Sequence, residues 1–473
     1  MLFPCYVSRS FTFRIARVRN CGQRRRYHVQ LDVIDDLKSR GLIADITRPI
    51  QLREEIESKS QSIYVGIDPT AKSLHVGHLL PLLCLFHFQL RGHQIIPLIG
   101  GATGLIGDPS GRSTERPLSE RTKIEYNVSQ LTLGVTRFFE RALRYAYRRL
   151  DCSMFEILPP TVQNNLQWLE SLNLLEFLRT VGFHSRVNTM IARESVQARL
   201  ASQQGISFTE FTYQLLQAYD FFTLHKHLGC TIQVGGSDQW GNIIAGIELI
   251  NRVNAGLGVD EAKIEKGFGI TTPLLTTASG EKFGKSAGNA VSLNEQETSV
   301  FEFDSIRTPD ADVGRYLKMF TLLPPSKIDS VIESHAKSPE ARSAQRLLAQ
   351  EITELVHDED GVRRAETATK ILYERDFATA KADDVVVALN GNPVLHRLEV
   401  SEAIDIPITK LAVKCHLAPS NNAARQLASA KGLYVNNHPV ADVNQKLVPA
   451  DLIDGRLVIL RAGSQKVAVV ALD

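Results

Sequence analysis

Residues 64–80 of the chain, YVGIDPTAKSLHVGHLL, join a strand to a helix. The apolar run Ile63–Ile67 predicts a buried strand that breaks at Asp68-Pro69, and the Leu- and Phe-rich run His78–Arg91 predicts a helix. A second buried strand follows at Gln94–Ile99. Because this unit has about the length of a right-handed crossover between parallel strands, it predicts an α/β fold with a doubly wound parallel sheet.

Polar residues stand where the first of these strands ends. In open parallel sheets ligands bind beyond the carboxyl ends of the strands, where Asp68 and the segment 100–108 are expected. His75 and His78 stand at the start of the following helix, whose free backbone N–H groups suit an anion, and histidines add donors to phosphate oxygens. Gly77 between them lets a flat ring approach the backbone. Two such histidines alone are more often surface residues, but after a strand and an Asp-Pro-Thr turn they indicate a nucleotide site.

A second candidate for phosphate binding is the loop Lys282-Phe283-Gly284-Lys285-Ser286, which follows the turn Ser279-Gly280. Two lysines on a glycine loop are suited to close over a triphosphate, neutralise the leaving pyrophosphate and open to release it. Standing alone, the same loop is more often a solvated charged turn. Its pairing with the histidine motif roughly two hundred residues upstream favours the functional interpretation.

The composition is that of a globular protein. The 473 residues are 43% hydrophobic and 22% charged, which excludes intrinsic disorder and predicts about two to four domains. No apolar run approaches the roughly 20 residues of a membrane span, so no membrane partner is expected. The six cysteines form neither CxxC nor a Cys/His cluster with zinc spacing, so we expect no structural metal and no disulfide framework.

The first 31 residues contain seven arginines and no acid, which leaves 47 basic against 52 acidic residues in the remainder. An arginine-rich, acid-free leader with Ser, Phe and Tyr between the charges is typical of a mitochondrial transit peptide. We therefore expect residues 1–30 to be removed and the mature protein to work in the mitochondrial matrix. The alternative is a basic arm that binds nucleic acid and stays on the mature chain.

Changes in composition and in the predicted secondary structure indicate three folded units after this leader. The segment 301–390 is mostly helical and polar, and from about residue 400 short helices and strands alternate, with turns at Asn436-Asn437 and Asp454-Gly455. The predicted units are an α/β catalytic domain at 31–300 with a basic insertion near 128–160, a helical domain at 301–390 and a small α+β domain at 400–473.

The histidine and lysine motifs resemble the two signature sequences of the class I aminoacyl-tRNA synthetases. The intervening segments resemble the tyrosyl-tRNA synthetase family of the bacterial and organellar type, and the fungal mitochondrial members most of all. The resemblance covers about 32–473 and rests on four blocks: GGATGLIGDPSGR (100–112), ISFTEFTYQLLQAYDF (206–221), QVGGSDQWGN (233–242) and TPLLT…EKFGKS (272–286). It implies a Rossmann-like catalytic domain, a helical anticodon-binding domain and a C-terminal RNA-binding domain.

By this resemblance, Tyr64 and Asp220 bind the phenol hydroxyl of a substrate tyrosine. A buried carboxylate and hydroxyl are left unpaired when phenylalanine enters instead, and rejection of phenylalanine by this family is itself the established example of that principle. Asp108, Tyr213 and Gln217 correspond to the groups that hold the substrate ammonium. The last two are four residues apart and so share a helix face.

The remaining expected site residues fall into three sets. Those that line the tyrosine, ribose and carboxylate positions are Gly66, Asp68, Gln233, Gly236, Asp238 and Gln239. Those that bind ATP also include His75, Gly77, His78, Lys282, Phe283, Lys285 and Ser286. Those expected to be catalytic are Thr70, His75, His78, Lys282 and Lys285, of which Thr70 and His75 correspond to the pair that stabilises the pyrophosphate side of the transition state.

The family's reaction is in-line attack of the tyrosine carboxylate on the α-phosphate, which needs positioning and charge stabilisation but no covalent nucleophile. The resemblance implies ATP as substrate, Mg²⁺, and transfer of tyrosine to tRNA(Tyr) by a homodimer, for which Leu82–Phe88 and the region 128–150 are candidate surfaces. One alternative is an RNA-folding factor with a vestigial synthetase site, and the intact catalytic set argues against it. Another is the related tryptophan enzyme, which Tyr64 with Asp220 and the long C-terminal tail disfavour.

RNA contacts are expected in three places. LAPSNNAARQLASAKGLYVNNHPVAD (417–442) resembles a small RNA-binding fold first known from a ribosomal protein, although residues 400–473 carry only eight basic against six acidic residues. The candidate RNA-binding residues are Lys414, Arg425 and Lys431 in this region, Arg112 and Arg116 near the acceptor end, and Arg141, Arg144 and Arg148 on a basic helix. Some fungal relatives help to fold group I introns, so the basic helix is either an intron-binding surface or a solvated amphipathic helix.

One position departs from the family's pattern within the histidine motif's helix. Position 81 is proline, which we expect to stand in the first turn of that helix, where its missing N–H is not needed.

Overall fold

The larger sheet contains the predicted strand–helix–strand unit. The structure, a computed structural model, describes residues 32–110, 119–150, 157–201, 205–256, 267–276, 293, 308–377, 380–463 and 466–472. Within these residues the strands of the larger sheet are β1 (Asp45–Ile46), β2 (Ser62–Ile67), β3 (Gln94–Ile99), β4 (Gln163–Asn164), β5 (Cys230–Gly236) and β6 (Phe268–Thr272). Their order is β1-β6-β5-β2-β3-β4, and all neighbours are parallel except β1 and β6. The predicted parallel sheet is confirmed.

Helices cover this sheet and connect its strands. In the described part they are α1 (Val33–Ser39), α2 (Pro49–Ser58), α3 (Val76–Gln89), α4 (Thr103–Ile106), α5 (Arg121–Arg149), α6 (Leu166–Leu169), α7 (Leu174–Thr180), α8 (Val187–Ile191), α9 (Glu194–Leu200), α10 (Phe208–Leu228) and α11 (Trp240–Gly256). Among the helices that the structure describes, none is both long and apolar enough to cross a membrane.

The order in which successive strands are added to the sheet reverses at β2. From β2 the chain passes through α3 to β3 and then to β4 on one side, whereas β5 and β6 lie on the other side of β2. The carboxyl ends of β2 and β5 therefore border the crevice in which sheets of this kind bind their ligands. Asp68 directly follows β2, and Gly236 is the last residue of β5.

Helix α3 corrects two expectations. Val76 is its first residue, so Pro81 stands sixth, in the second turn rather than the first, and has no N–H to offer to the carbonyl of Gly77. Burial of most of the helix compensates, because eleven of its fourteen residues lie in the core. Leu82–Phe88 are among them, so the expectation that this run forms part of a dimer surface is wrong.

A helical unit follows the sheet, with helices α12 (Asp310–Phe320), α13 (Pro325–Lys337), α14 (Ser343–Thr369) and α15 (Ala382–Ala388). The first half of α14 packs into the main core, through Leu348, Ile352 and Leu355 among others. The apolar face of α5 joins the same core through Phe138, Phe139 and other side chains. The predicted basic insertion is therefore an integral core helix, and its apolar face is covered within the chain.

The C-terminal unit is a second sheet with helices on it. Its described strands are β7 (Leu395–Leu398), β8 (Leu433–Val435), β9 (His438–Pro439), β10 (Leu457–Ala462) and β11 (Lys466–Leu472), in the order β7-β11-β10-β8-β9. Its described helices are α16 (Val400–Ile404), α17 (Ile408–Lys414) and α18 (Asn421–Ser429). Asn436 and Asn437 form the predicted hairpin turn, both with positive φ. Helix α15, which the sequence places in the helical unit, packs on this sheet through Val385 and Val386.

Candidate functional site

Helix α10 carries one wall of the crevice. Ser207 caps its first turn by accepting a hydrogen bond from the Glu210 N–H, and Gly229 ends it with φ 62°. Tyr213, Gln217 and Asp220 follow one another at spacings of four and three residues, so they lie on one face of this helix. The expectation that Tyr213 and Gln217 share a helix face is confirmed.

Tyr64 lies on β2 and is 1% exposed. Its hydroxyl has no hydrogen-bond partner among the described residues, although burial of such a group normally requires one. Burial and the nearby Asp220 raise the pKa of Tyr64 well above its ordinary value, so the hydroxyl stays protonated. The neighbouring strand places Gln233 in register with Tyr64, and the Gln233 side-chain oxygen is likewise buried without a described partner. Two orphaned polar atoms therefore face the inner end of the site.

The carboxylate of Asp220 is held from both sides by neutral donors. The Trp168 indole N–H donates to Oδ1 at 2.7 Å, and the Asn165 amide donates to Oδ2 at 2.9 Å. Burial raises the pKa of Asp220 to about 7, against the lowering effect of these two donors. The carboxylate is thus oriented but not neutralised, and it keeps lone pairs for another donor.

Asp68 lies between two hydroxyl donors at the end of β2. Tyr213 donates to Oδ2 at 2.7 Å and Thr103 donates to Oδ1 at 2.7 Å. A Cβ on Gly100 would lie only 2.1 Å from Asp68 Oδ1, so a glycine is required at that position for this geometry. Burial and the charges of Asp68 and Asp108 raise the pKa of Tyr213 well above its ordinary value. These groups form an electronegative pocket that suits an ammonium group.

A chain of amide hydrogen bonds connects Asp108 and Gln217, two candidates for the ammonium site, with Gln239, which was expected to line the tyrosine, ribose and carboxylate positions. Gln239 donates to Asp108 Oδ2 at 2.8 Å, and Asn242 donates to the side-chain oxygens of Gln239 and Gln217, each at 3.1 Å. The Ser110 backbone N–H holds the other oxygen of Asp108 at 2.9 Å. The structure therefore brings Asp108, Gln217 and Gln239 together, as the sequence predicts.

His75 and His78 lie at the amino end of α3 with their rings stacked, 3.7 Å between centroids. The His78 ring accepts a hydrogen bond from the His75 backbone N–H at 3.2 Å. A Cβ on Gly77 would meet the His75 ring at 3.0 Å, so the ring closest to this glycine is that of His75 itself. Thr70 is exposed in the turn after β2, where its N–H bonds to the Asp68 carbonyl at 2.8 Å.

Three more predicted nucleotide-site residues border the open part of the crevice. Gly66 is exposed near the end of β2, with nothing within 4 Å of the position that a Cβ would take. A Cβ on Gly236 would lie 2.7 Å from the exposed carboxylate of Asp238. The backbone is therefore open to a flat ligand at Gly66, whereas the Asp238 side chain fills the corresponding space at Gly236.

Some predicted residues lie outside the described part of the chain. These are the leader, Arg112, Arg116, and Lys282, Phe283, Lys285 and Ser286 of the lysine loop. Among the residues that the structure does describe, no group of three or more His, Cys, Asp or Glu side chains is arranged to hold a metal ion.

The sequence did not identify four residues that shape the site: Thr103, Asn165, Trp168 and Asn242. Asn165 and Trp168 follow β4, which pairs in parallel with β3 and so ends at the same edge of the sheet. The signal available was a tryptophan, one of only two in the chain, in the polar run QNNLQW after a double proline. A two-residue strand carries too little periodicity to be recognised as part of that edge.

The candidate RNA residues divide into paired and exposed groups. Arg144 and Arg148 form ion pairs with Asp358, Arg148 also with Glu354, and Arg141 donates to the Val356 carbonyl at 2.9 Å. Within the C-terminal unit, Lys414 pairs with Glu402 at 3.0 Å, whereas Arg425 and Lys431 are exposed. Arg141, Arg144 and Arg148 of α5 thus have partners within the chain, whereas Arg137 on the same helix is exposed.

Apolar side chains are exposed along one stretch of the catalytic part. They are Leu174, Leu175, Leu178, Phe183, Val187, Ile191, Leu200 and Phe208, and Phe208 is 79% exposed. Exposed apolar surface marks interaction sites where it is contiguous, and these eight side chains are grouped along the sequence.

Comparison with protein families identifies two matching regions. The family described as tRNA synthetases class I (W and Y) matches residues 57–374. The family described as the tyrosine–tRNA ligase SYY-like C-terminal domain matches residues 394–470. Together the two matches span the catalytic, helical and C-terminal units.

Whole-chain relatives agree with these matches. The tyrosine–tRNA ligase of Roseiflexus castenholzii is 41% identical over 435 residues, covering 91% of this chain and 97% of the relative. The mitochondrial tyrosine–tRNA ligase of Saccharomyces cerevisiae is 40% identical over 453 residues, covering 93% and 88%. The crystal structure of a C-terminally truncated mitochondrial tyrosyl-tRNA synthetase from Aspergillus nidulans aligns with a TM-score of 0.65 at 35% identity, covering 74% of this chain and 95% of that one.

Proposed function

The chain belongs to the tyrosine–tRNA ligase family of class I aminoacyl-tRNA synthetases, and we propose that the crevice between β2 and β5 activates L-tyrosine with ATP and passes it to tRNA(Tyr). The tyrosine carboxylate attacks the α-phosphate in line and pyrophosphate leaves. A terminal ribose hydroxyl of the tRNA then attacks the tyrosyl carbonyl of the adenylate, which forms the ester and releases AMP. The observation that carries the proposal is the unpaired Tyr64 hydroxyl beside the oriented carboxylate of Asp220.

That pair suits a phenol at the inner end of the site. The phenol O–H donates to Asp220, and its oxygen accepts from the Tyr64 hydroxyl. Tyr64 thereby gains the partner that it lacks in the described residues, and Asp220 gains a third donor beside Trp168 and Asn165. Phenylalanine forms neither hydrogen bond and leaves the Tyr64 hydroxyl unpaired, and tryptophan presents its N–H in another place. The substrate ammonium then lies towards Asp68, Tyr213, Asp108 and Gln217, and the carboxylate points to the open crevice.

The phosphates of ATP belong at the amino end of α3. Thr70, His75 and His78 stand there, and Lys282 and Lys285 of the lysine loop complete the expected set. Mg²⁺ enters with the nucleotide as part of the substrate, because this ion keeps most of its waters and is held chiefly through phosphates. Gly66 leaves the backbone open to the flat parts of the nucleotide.

Tyrosine-dependent ATP–pyrophosphate exchange tests this proposal. We expect exchange with tyrosine and none with phenylalanine or tryptophan, both for the full chain and for protein beginning at Asp32, which keeps the buried residues Val33 and Ile34 of α1. His75→Ala should lower the exchange rate with little change in tyrosine affinity, because His75 lies at the phosphate end. A folded wild-type protein that binds RNA but exchanges nothing would favour the alternative, an RNA-folding factor with a vestigial site.

The homodimer is proposed on a different surface from the one expected from sequence. The exposed apolar stretch between Leu174 and Phe208 is suited to a second copy, because closed two-fold dimers bury one self-complementary patch. Phe208→Asp with Leu175→Asp should give a monomer in sedimentation analysis. Ile50→Asp, a change at a residue 70% exposed on α2, is the matched control and should stay dimeric. A wild-type monomer would contradict the dimer.

The proposed location is the mitochondrial matrix. It is supported by the arginine-rich, acid-free leader and by the mitochondrial relatives of yeast and filamentous fungi. Residues 1–31 fused to a fluorescent protein should direct it to mitochondria, and import should fail when their seven arginines are replaced by glutamine. Retention of the leader on the mature chain would favour the basic-arm alternative.

Group I intron splicing is the second candidate role. The observation that favours RNA binding beside α5 is a surface cavity of about 380 Å³. Its lining includes the cationic side chains of Lys72, Arg137 and Arg141, which suit phosphate groups. Because α5 belongs to the core, deleting 128–160 would unfold the protein, so point changes must test the role. Arg137→Glu should weaken intron binding and leave tyrosine activation intact. Unchanged intron binding and splicing would remove this role.

A further inference from the structure

Helix α14 is bent at one residue. Asp358 has φ 65° and ψ −178°, a backbone conformation that is essentially confined to glycine and costs a few kcal/mol elsewhere. Before the bend, Ile352, Leu355 and Val356 pack into the main core. After it, the chain leads to Ile371, which packs with α15 and β10 on the C-terminal sheet. The bend therefore marks the joint between the catalytic body and the C-terminal unit.

Two arginines of α5 hold this joint through the Asp358 carboxylate. Arg144 Nε lies 2.8 Å from Oδ2 and an Arg148 guanidinium nitrogen lies 2.8 Å from Oδ1. Oδ1 also accepts the backbone N–H of the next residue, Glu359, at 2.9 Å, so the carboxylate binds the first N–H after the bend. Burial would raise the pKa of Asp358, but the Glu359 N–H and the two guanidinium groups outweigh it and hold the pKa below its ordinary value.

The first half of α14 is fixed independently. Arg149 forms ion pairs with Glu351 and Glu354, and the Tyr145 hydroxyl donates to Glu351 at 2.6 Å. These contacts lie before the bend and bind α14 to α5 whether or not Asp358 is held. Within the described residues, two other ion pairs reach the chain after the bend: Arg148 with Glu359 at 3.4 Å, and Arg346 with Glu374 at 3.4 Å between two exposed side chains. The contacts of Arg144 and Arg148 with Asp358 are the shorter ones, and they act at the bend itself.

We infer that Arg144 and Arg148 are positioning residues for the tRNA step, because they fix the bend at Asp358 and with it the placement of the C-terminal RNA-binding unit relative to the active site. The inference rests on the proposed function, in which one tRNA contacts both units. A tRNA that binds two sites on one protein gains affinity only when their spacing matches its own. Tyrosine activation involves the catalytic body alone, so it does not depend on the joint.

The competing explanation is that the same arginines contact RNA phosphates directly. Asp358→Asn separates the two, because it keeps the shape of the side chain and an oxygen that can accept the Glu359 N–H, and it removes no cation. Loss of the joint should lower kcat/KM for tRNA about five- to tenfold, mainly through KM, with unchanged tyrosine-dependent exchange. Direct phosphate contact predicts instead that tRNA binding stays the same or becomes tighter, since the arginines are released from their acid.

The experiment compares exchange, aminoacylation and small-angle scattering for the full chain and its variants. Asp358→Gly is the second variant, because glycine relieves the backbone strain and so keeps the protein folded. Arg121→Ala is the matched control, since Arg121 pairs with Glu125 and Glu170 at the other end of α5. We expect both Asp358 variants to lose tRNA efficiency and broaden the scattering envelope, and the control to do neither.

Two outcomes overturn the inference: wild-type tRNA kinetics in both Asp358 variants, or tighter tRNA binding by Asp358→Asn. Failure of the proposed function would be seen separately, as absence of tyrosine-dependent exchange or of aminoacylation in the wild-type protein.

Discussion

Two fully buried tyrosines in this protein have opposite surroundings. The Tyr145 hydroxyl on α5 donates to Glu351 at 2.6 Å and accepts the Leu322 backbone N–H at 3.2 Å, so both of its hydrogen-bonding roles are filled. The Tyr64 hydroxyl on β2 has no partner among the described residues. Because an unpaired buried hydroxyl costs free energy, the surroundings of Tyr64 are incomplete in a way that a ligand can complete.

The carboxylates beside these tyrosines differ in the same sense. Glu351 faces the guanidinium of Arg149, so its charge is compensated inside the α5–α14 interface. Within the described part of the chain, Asp220 receives only the neutral N–H groups of Trp168 and Asn165, and its pKa is raised to about 7. An interface built for stability pairs its charges, whereas a binding site orients a charge and leaves it for the substrate.

The largest effect should come from Asp220→Ala. The change removes the charged acceptor of the phenol and strands the Trp168 and Asn165 donors, so kcat/KM for tyrosine-dependent exchange should fall by about 100-fold or more. Stability should not fall in parallel, because a desolvated carboxyl is removed. Exchange kinetics and thermal unfolding measure the two quantities, and wild-type exchange would exclude Asp220 from the tyrosine site.

The two tyrosines can be compared directly by removing each hydroxyl. Tyr145→Phe leaves Glu351 and the Leu322 N–H without this partner, so the free energy of unfolding should fall by about 1–3 kcal/mol. Tyr64→Phe removes an atom that has no described partner, so stability should be unchanged or slightly higher. Denaturant unfolding of both variants measures the difference.

The effects on substrate choice should be reversed. Tyr64→Phe should reduce the preference for tyrosine over phenylalanine about tenfold, the value of one hydrogen bond in a buried site, while Tyr145→Phe leaves it unchanged. Exchange rates with the two amino acids give the ratio. Equal destabilisation by both variants, or an unchanged ratio in Tyr64→Phe, would mean that Tyr64 serves packing alone.

The sequence predicted most of the fold because the deciding signals are local. The strands around Tyr64 and Gln233 are apolar runs with clear ends, and helix α10 has its cap at Ser207 and its glycine stop at Gly229. Pro81 was misplaced by a turn because the helix starts at Val76, a boundary that tertiary burial decides. Periodicity finds elements, and the exact start of an element depends on packing.

The hydrogen-bond and ion-pair partners of these residues could not be predicted from local sequence patterns, because they lie far away in the sequence. Trp168 meets Asp220 across 52 positions of sequence, after a strand of two residues. The arginines of α5 looked like an RNA surface because their acids, Glu354 and Asp358, lie more than two hundred positions away. Charge in a sequence shows only one half of an ion pair, so a basic helix can equally be one side of an internal interface.

The smallest effect concerns how Asp220 titrates, and it tests whether the neutral donors tune the site. Because the deprotonated carboxylate accepts the phenol proton, tyrosine binding measured by calorimetry without ATP should weaken as the pH falls below about 7. Trp168→Phe removes a donor that favours the charged form, so the midpoint should move to higher pH. Trp240→Phe, which changes the other tryptophan, should leave the midpoint in place.

The raised pKa of Asp220 also determines how the free energy of unfolding changes with pH. The pKa of Asp220 is raised in the folded chain from an ordinary 3.8, so its contribution favours folding most below about pH 4 and is lost as the pH rises through 7. Asp220→Asn should therefore flatten the fall in unfolding free energy between these values. As the pH rises through this range, the affinity for tyrosine increases while the free energy of unfolding decreases. Asp220 therefore favours binding at a cost in stability, in contrast to the fully paired Tyr145 and Glu351.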